Sequence, residues 1–230
     1  MRIHYLDSGG DLVTPPIVFV PGMTDVAEDY LPILDAFGRR LIVIDLRGHG
    51  RSDAPAEGYA LADQAADIDA VINEVTAGPV HLMTFSRGTC YAFAWAADNP
   101  DRVLSVAIGD YPAREIVLPD GVPDHFMGSS WRGTPVADRL SVVALEGIVN
   151  AAEGRLFWDD LGALGVPVLV VRGTDGMPLS EDDWVKYRES VPGVELVSFD
   201  DSAHDLFRPE RLRYPRLVSE LADRADAAIR

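Results

Sequence analysis

Residues 80–89 read Val80-His81-Leu82-Met83-Thr84-Phe85-Ser86-Arg87-Gly88-Thr89. An apolar run of strand length leads into a serine, and a helix-compatible stretch, 88–98, follows it. A serine at a sharp strand-to-helix turn is lifted above the sheet edge, and the helix N-terminus behind it favours developing negative charge. Such a turn presses the residues two before and two after against neighbouring backbone, so both must be small. Gly88 meets that demand, while Thr84 stands where glycine is commoner. Ser86 is the candidate nucleophile.

Outward from this turn, short apolar runs alternate with longer amphipathic segments. The runs lie at 17–20, 41–45, 80–84, 103–109, 166–171 and 195–199, and 3–7 reads as an antiparallel edge strand. Most are continuous rather than alternating, as expected for strands buried on both faces of a parallel sheet. Helices are expected at 26–37, 61–75, 88–98, 180–190 and 209–229. The pattern predicts an α/β fold: a mostly parallel sheet with helices on both faces. Between 111 and 165 the rhythm of strands breaks. That segment is expected to form a short lid or cap inserted between a core of 1–110 and its continuation, 166–230. An insertion after a strand's carboxyl end lies over the ligand-binding edge of such a sheet. Phe126, Trp131 and Trp158 are therefore candidate substrate contacts, and Arg114 a candidate cation for an anionic group.

Composition narrows the function. Acidic residues number 37 against 20 Lys plus Arg, a formal charge of −17, which repels nucleic-acid phosphates and anionic lipid heads. The expected partner is a small-molecule substrate, with neither nucleic acid nor membrane; oligomeric state is not encoded legibly. Cys90 is the only cysteine, so no intrachain disulfide forms. The first residues lack the apolar core of a secretory signal, and a cytoplasmic protein is expected. His4, His49, His81, His125 and His204 are too scattered to suggest a metal site, and no Gly-rich phosphate loop is present, so no cofactor is expected.

Four segments, in order, resemble the α/β-hydrolase superfamily over nearly the whole chain. They are Val18-Phe19-Val20-Pro21-Gly22-Met23, Asp45-Leu46-Arg47-Gly48-His49-Gly50-Arg51-Ser52-Asp53, the Ser86 turn, and Ser202-Ala203-His204-Asp205. The resemblance implies that Ser86 attacks an acyl carbon while His204 removes its proton. It implies that the backbone N–H groups of Met23 and Arg87 hold the oxyanion, donors worth about 3 kcal/mol each. The Arg87 side chain is as well placed for recognising an anion as for an ion pair, and His49 belongs to turn structure. Two residues compete as the triad acid. Asp175 lies after the penultimate strand, one residue before the family's usual position, which holds Gly176. Asp110 ends the preceding strand, as in a minority of the superfamily, and is preferred by a small margin. The expected function is a cofactor-independent serine hydrolase acting on a small ester, thioester, lactone or amide through a Ser-His-Asp triad. The alternatives are a non-hydrolytic enzyme of the same fold (a lyase, eliminating enzyme or cyclase of a biosynthetic pathway) and a non-catalytic ligand-binding protein.

Overall fold

The computed structural model describes residues 1–10, 13–119, 121–174 and 178–229. The first half builds strands β1 (Tyr5–Asp7), β2 (Ile17–Val20), β3 (Leu41–Ile44), β4 (Val80–Phe85) and β5 (Val103–Gly109), with helices α1 (Leu61–Val75) and α2 (Gly88–Asp98) between them. Next come α3 (Val122–Met127), the short strands β6 (Ser130–Trp131) and β7 (Thr134–Pro135), α4 (Val142–Ala151) and α5 (Trp158–Ala163). The chain ends with β8 (Val168–Arg172), α6 (Glu181–Ser190), β9 (Glu195–Ser198) and α7 (Arg213–Ile229).

Seven strands form one sheet in the order β1-β3-β2-β4-β5-β8-β9, and β1 alone runs antiparallel to its neighbour. Side chains alternate along each strand, so a continuous apolar run feeds both faces. Val18, Ile42, Leu82, Val106 and Val170 pack on one face against α1, α2, α5 and α6. Phe19, Val43, Met83, Ala107 and Leu169 pack on the other, against Tyr30, Phe37 and the Tyr214, Val218 and Leu221 ridge of α7. All ten strand residues are fully buried, worth about 1.5–3 kcal/mol for each large aliphatic side chain.

Several expected elements are shorter, two of them for a local reason. The helix expected at 26–37 is a 3-10 helix at Ala27–Ile33, because Pro32 lies inside it and offers no N–H. The strand expected from 166 begins at Val168, because Pro167 cannot donate to the ladder, though its carbonyl accepts from Val106 N–H. The last helix starts at Arg213 rather than 209.

The segment 111–165 divides between two places. Val136, Leu140, Ala144, Leu145 and Ile148 form a third apolar cluster with Met23 and Tyr59, to which Phe126 and Trp131 add. Phe157, Trp158 and Leu161 instead join the core beneath the sheet, where α5 packs on α2 and α6. Among the described residues no helix is long and apolar enough to cross a membrane.

At the start of the central strand β4, His81 is buried between its neighbours β2 and β5. Its Nδ1 lies 2.9 Å from Ser105 Oγ and its Nε2 3.2 Å from Asp226 Oδ1 on α7, a carboxylate that also accepts from Arg39 (2.8 Å). Burial, with the nearby Arg39 charge, lowers its pKa from 6.5 to about 4. An unfolded chain takes up this proton near pH 6.5 and the folded chain only near 4, so this contribution to stability is complete above about pH 6.5 and drains away as the pH falls to about 4. Urea melts are expected to show the native protein losing on the order of 3 kcal/mol more than His81→Gln across that window; parallel curves would contradict it.

Candidate active site

The turn after β4 is held by geometry that few residues permit. Ser86 sits at φ 51°, in the left-handed region, and donates its backbone N–H to Gly109 O at 2.8 Å. A Cβ on Gly88 would lie 2.1 Å from Pro21 O and 2.4 Å from Val20 O, both rigid backbone, so position 88 admits glycine alone without displacement. Thr84 fits where glycine is commoner because its hydroxyl is paired: Oγ1 lies 2.8 Å from Thr89 Oγ1 and donates to Ala107 O (3.3 Å).

Asp110 mirrors that strain at the end of the neighbouring strand, with φ 48° and its N–H donated to Val171 O at 2.8 Å. Its Oδ1 accepts from Gly173 N–H (3.2 Å), and its Oδ2 accepts from His204 Nδ1 at 2.6 Å. That hydrogen bond fixes the proton on Nδ1 and leaves Nε2 to accept from the Ser86 hydroxyl, 2.9 Å away. The imidazole also stacks on Phe85, ring centres 4.9 Å apart at 25°. Three side chains from three separate strand ends are thus brought into one hydrogen-bonded line. Asp175, the other acid considered, lies outside the described residues.

Ser86 and His204 open onto a cavity of about 330 Å³. Met23 and Arg87 line it beside Ser86, as do Phe126 and Trp131 from the third cluster. The loop before Met23 is braced twice: Gly22 N–H donates to Asp25 Oδ2 (2.9 Å), and His49 Nε2 donates to Met23 O (2.6 Å). Both ring nitrogens of His49 face carbonyl oxygens, Nδ1 that of Arg47 at 2.9 Å as well as Nε2 that of Met23, and burial lowers the pKa against the pull of these two contacts.

Two expected contacts lie elsewhere. Trp158 packs edge-on against Tyr187 (4.9 Å), under the Lys186 ammonium, because α5 belongs to the core layer. Arg114 is drawn to Asp183 on α6 (3.3 and 3.2 Å) and does not line the cavity. The Arg87 side chain is likewise an internal tie: it donates to Tyr91 Oη (2.9 Å), Ile116 O (2.7 Å) and Glu115 (3.4 Å), and is 3% exposed. Cys90 is buried and donates to Arg87 O; burial pushes its thiol up to about 12, which leaves it unreactive. Among the described residues no His, Cys, Asp and Glu cluster is arranged to hold a metal ion.

Sequence reasoning missed Tyr111, Ile116, Leu118 and Pro178 in the lining, and Asp25 with them. The apolar ones carry no chemical signal, but an acid three residues after Gly22 was visible.

Residues 15–137 match the alpha/beta hydrolase fold family. A haloalkane dehalogenase of Psychrobacter cryohalolentis is 32% identical over 136 residues, covering 57% of this chain and only 43% of the dehalogenase. A non-heme chloroperoxidase of Streptomyces lividans is 29% identical over 227 residues, 80% of each chain. Among solved structures, the enol-lactonase of Burkholderia xenovorans superimposes with a TM-score of 0.81 over 96% of both chains at 18% identity, a likeness of fold.

Replacing Gly88 by Ala is expected to force the Ser86 turn away from the loop at 20–21. Stability should fall by at least about 2 kcal/mol in a urea titration. An unchanged midpoint would contradict this close packing.

Proposed function

The chain belongs to the alpha/beta hydrolase fold family of enzymes, and from that premise we propose that it is a cofactor-independent serine hydrolase acting on ester-type bonds of a small, largely apolar substrate. The observation that carries this reading is the hydrogen-bonded line from Asp110 through His204 to Ser86 at the floor of the cavity. Ser86 Oγ attacks the acyl carbon as His204 Nε2 takes its proton, and the Asp110 carboxylate stabilises the imidazolium that forms. The Met23 and Arg87 amides stabilise the oxyanion. Collapse of the tetrahedral intermediate expels the leaving group, which takes the proton from Nε2. Water, deprotonated by the same nitrogen, then releases the acid and restores Ser86.

The cavity supports the substrate class. Apart from the reacting residues its walls are mainly apolar or aromatic, including Ile116, Leu118, Phe126 and Trp131. Arg87 and Arg114 are both engaged with carboxylates, so neither is placed to receive an anionic acyl group. Uncharged acyl groups of modest length suit such walls.

Intact-protein mass after exposure to a fluorophosphonate is the test. A single adduct is expected, lost in Ser86→Ala; no adduct on the folded wild type would overturn the reading, and product formed without an acyl-enzyme would favour the lyase or cyclase alternative. Asp110→Asn is expected to slow the labelling by roughly a thousandfold, far more than Asp175→Asn does. The reverse ranking would transfer the role of the acid to Asp175.

A further inference from the structure

Asp25 poses an electrostatic problem for the proposed chemistry. Its carboxylate is buried, lines the same cavity as Ser86 and His204, and belongs to the loop assigned to the oxyanion. A Cβ built on Gly22 would touch both Asp25 Oδ2 (2.7 Å) and Ser86 Cβ (2.9 Å), so the carboxylate and the nucleophile are neighbours across one glycine. A negative charge there opposes the negative charge that develops on the substrate oxygen, and the burial of Asp25 weakens the screening between them.

The compensating groups come from the β6–β7 hairpin. Trp131 Nε1 donates to Asp25 Oδ1 at 2.7 Å, and Arg132 Nη1 lies 3.4 Å from the same oxygen. Among the described residues Arg132 is the cation paired with Asp25. Asp29, 3.8 Å from the same guanidinium, is bound by Arg139 at 2.6 and 3.0 Å. The remaining edge of Arg132 grips Asp205, the residue after His204, with two hydrogen bonds of 2.9 and 2.6 Å. Arg208 also approaches Asp205 (3.4 Å) but is 66% exposed. The Arg132 guanidinium lies 5.1 to 5.4 Å from the ring centres of Tyr30, Phe207 and Trp131. To reach this place Arg132 adopts φ 49°, ahead of Gly133 at 87°, in a two-residue hairpin turn that normally takes Asn, Asp or Gly first.

We propose that Arg132 is a positioning residue for the acyl transfer: its charge offsets that of Asp25 beside the oxyanion site, so Ser86 is fully reactive only with this counter-charge in place. The proposal rests on Ser86 being the nucleophile. A purely structural clamp and a counter-charge respond differently to substitution. Arg132→Lys keeps the charge and loses the two-pronged grip; Arg132→Gln loses both.

The experiment compares Ser86 phosphonylation rates, and kcat and KM for p-nitrophenyl acetate, in wild type, Arg132→Lys, Arg132→Gln and Trp131→Phe. Arg132→Gln should slow phosphonylation about 30-fold and lower kcat comparably with KM within about threefold, while Arg132→Lys stays within about fivefold of wild type. Equal losses in Lys and Gln, or no loss in either, would overturn the proposal. If Arg132→Gln fails to fold, Trp131→Phe decides: it removes one donor from Asp25 and keeps the ring packing, so an unchanged rate overturns the idea and a loss of about fivefold supports it. A wild type that does not react at Ser86 removes the hydrolase reading and this proposal with it. A reactive wild type with indifferent variants removes the proposal alone.

Discussion

The backbone hydrogen bond from Ser86 N–H to Gly109 O, 2.8 Å long, is the constraint around which the site is organised. It ties the end of β4 to the end of β5 just as each strand turns into the left-handed region, at Ser86 and at Asp110. A second bond of the same kind, Asp110 N–H to Val171 O, extends the tie to β8. Strained backbone at adjacent positions costs free energy and persists only when its surroundings over-determine it. Here the surroundings are a sheet packed on both faces and a glycine at 88 wedged against 20–21. Rigid strands therefore fix the separation of hydroxyl and carboxylate, leaving the loop after β9 to bring the imidazole of His204.

A chain with a formal charge of −17 must manage its buried carboxylates, and it does so one by one. Asp45 accepts from Ala27 N–H (2.6 Å) and contacts His4 (2.7 Å), which braces the turn carrying His49. Asp67 is held by Arg47 (2.6 Å). Glu115 accepts from the Glu153 and Gly154 amides and from Arg87, tying residues 115 and 153–154 to the residue after Ser86. Asp110 spends its charge on His204. The arginines that sequence reading offered for substrate recognition are consumed in this compensation, which leaves the cavity with mainly apolar walls.

The sheet was legible because continuous apolar runs such as 103–109 state that both faces are covered, and α1 and α2 were visible for the same reason of length and flanking turns. Ser86 and His204 were legible as positions at strand ends. Asp110 was visible only as one of two candidates, since a carboxylate at a strand end is common and its direction depends on the φ of one residue. Side-chain direction was the recurrent loss. Trp131 and Trp158 look alike in sequence, yet one lines the cavity and the other faces Tyr187, because α5 returns to the core layer. Arg87 and Arg114 pair with Glu115 and Asp183, partners set by tertiary packing rather than by sequence spacing. The β6–β7 hairpin left no periodic trace, since strands of two residues have none.

The hydrogen bond between His204 Nδ1 and Asp110 holds Nε2 toward Ser86. Proton NMR of protein labelled with nitrogen-15 at histidine addresses it directly, by following the Nδ1–H resonance of His204. A downfield, exchange-protected signal is expected, lost in Asp110→Asn and retained in Asp175→Asn. A signal that survives loss of Asp110 and vanishes with Asp175 would contradict it.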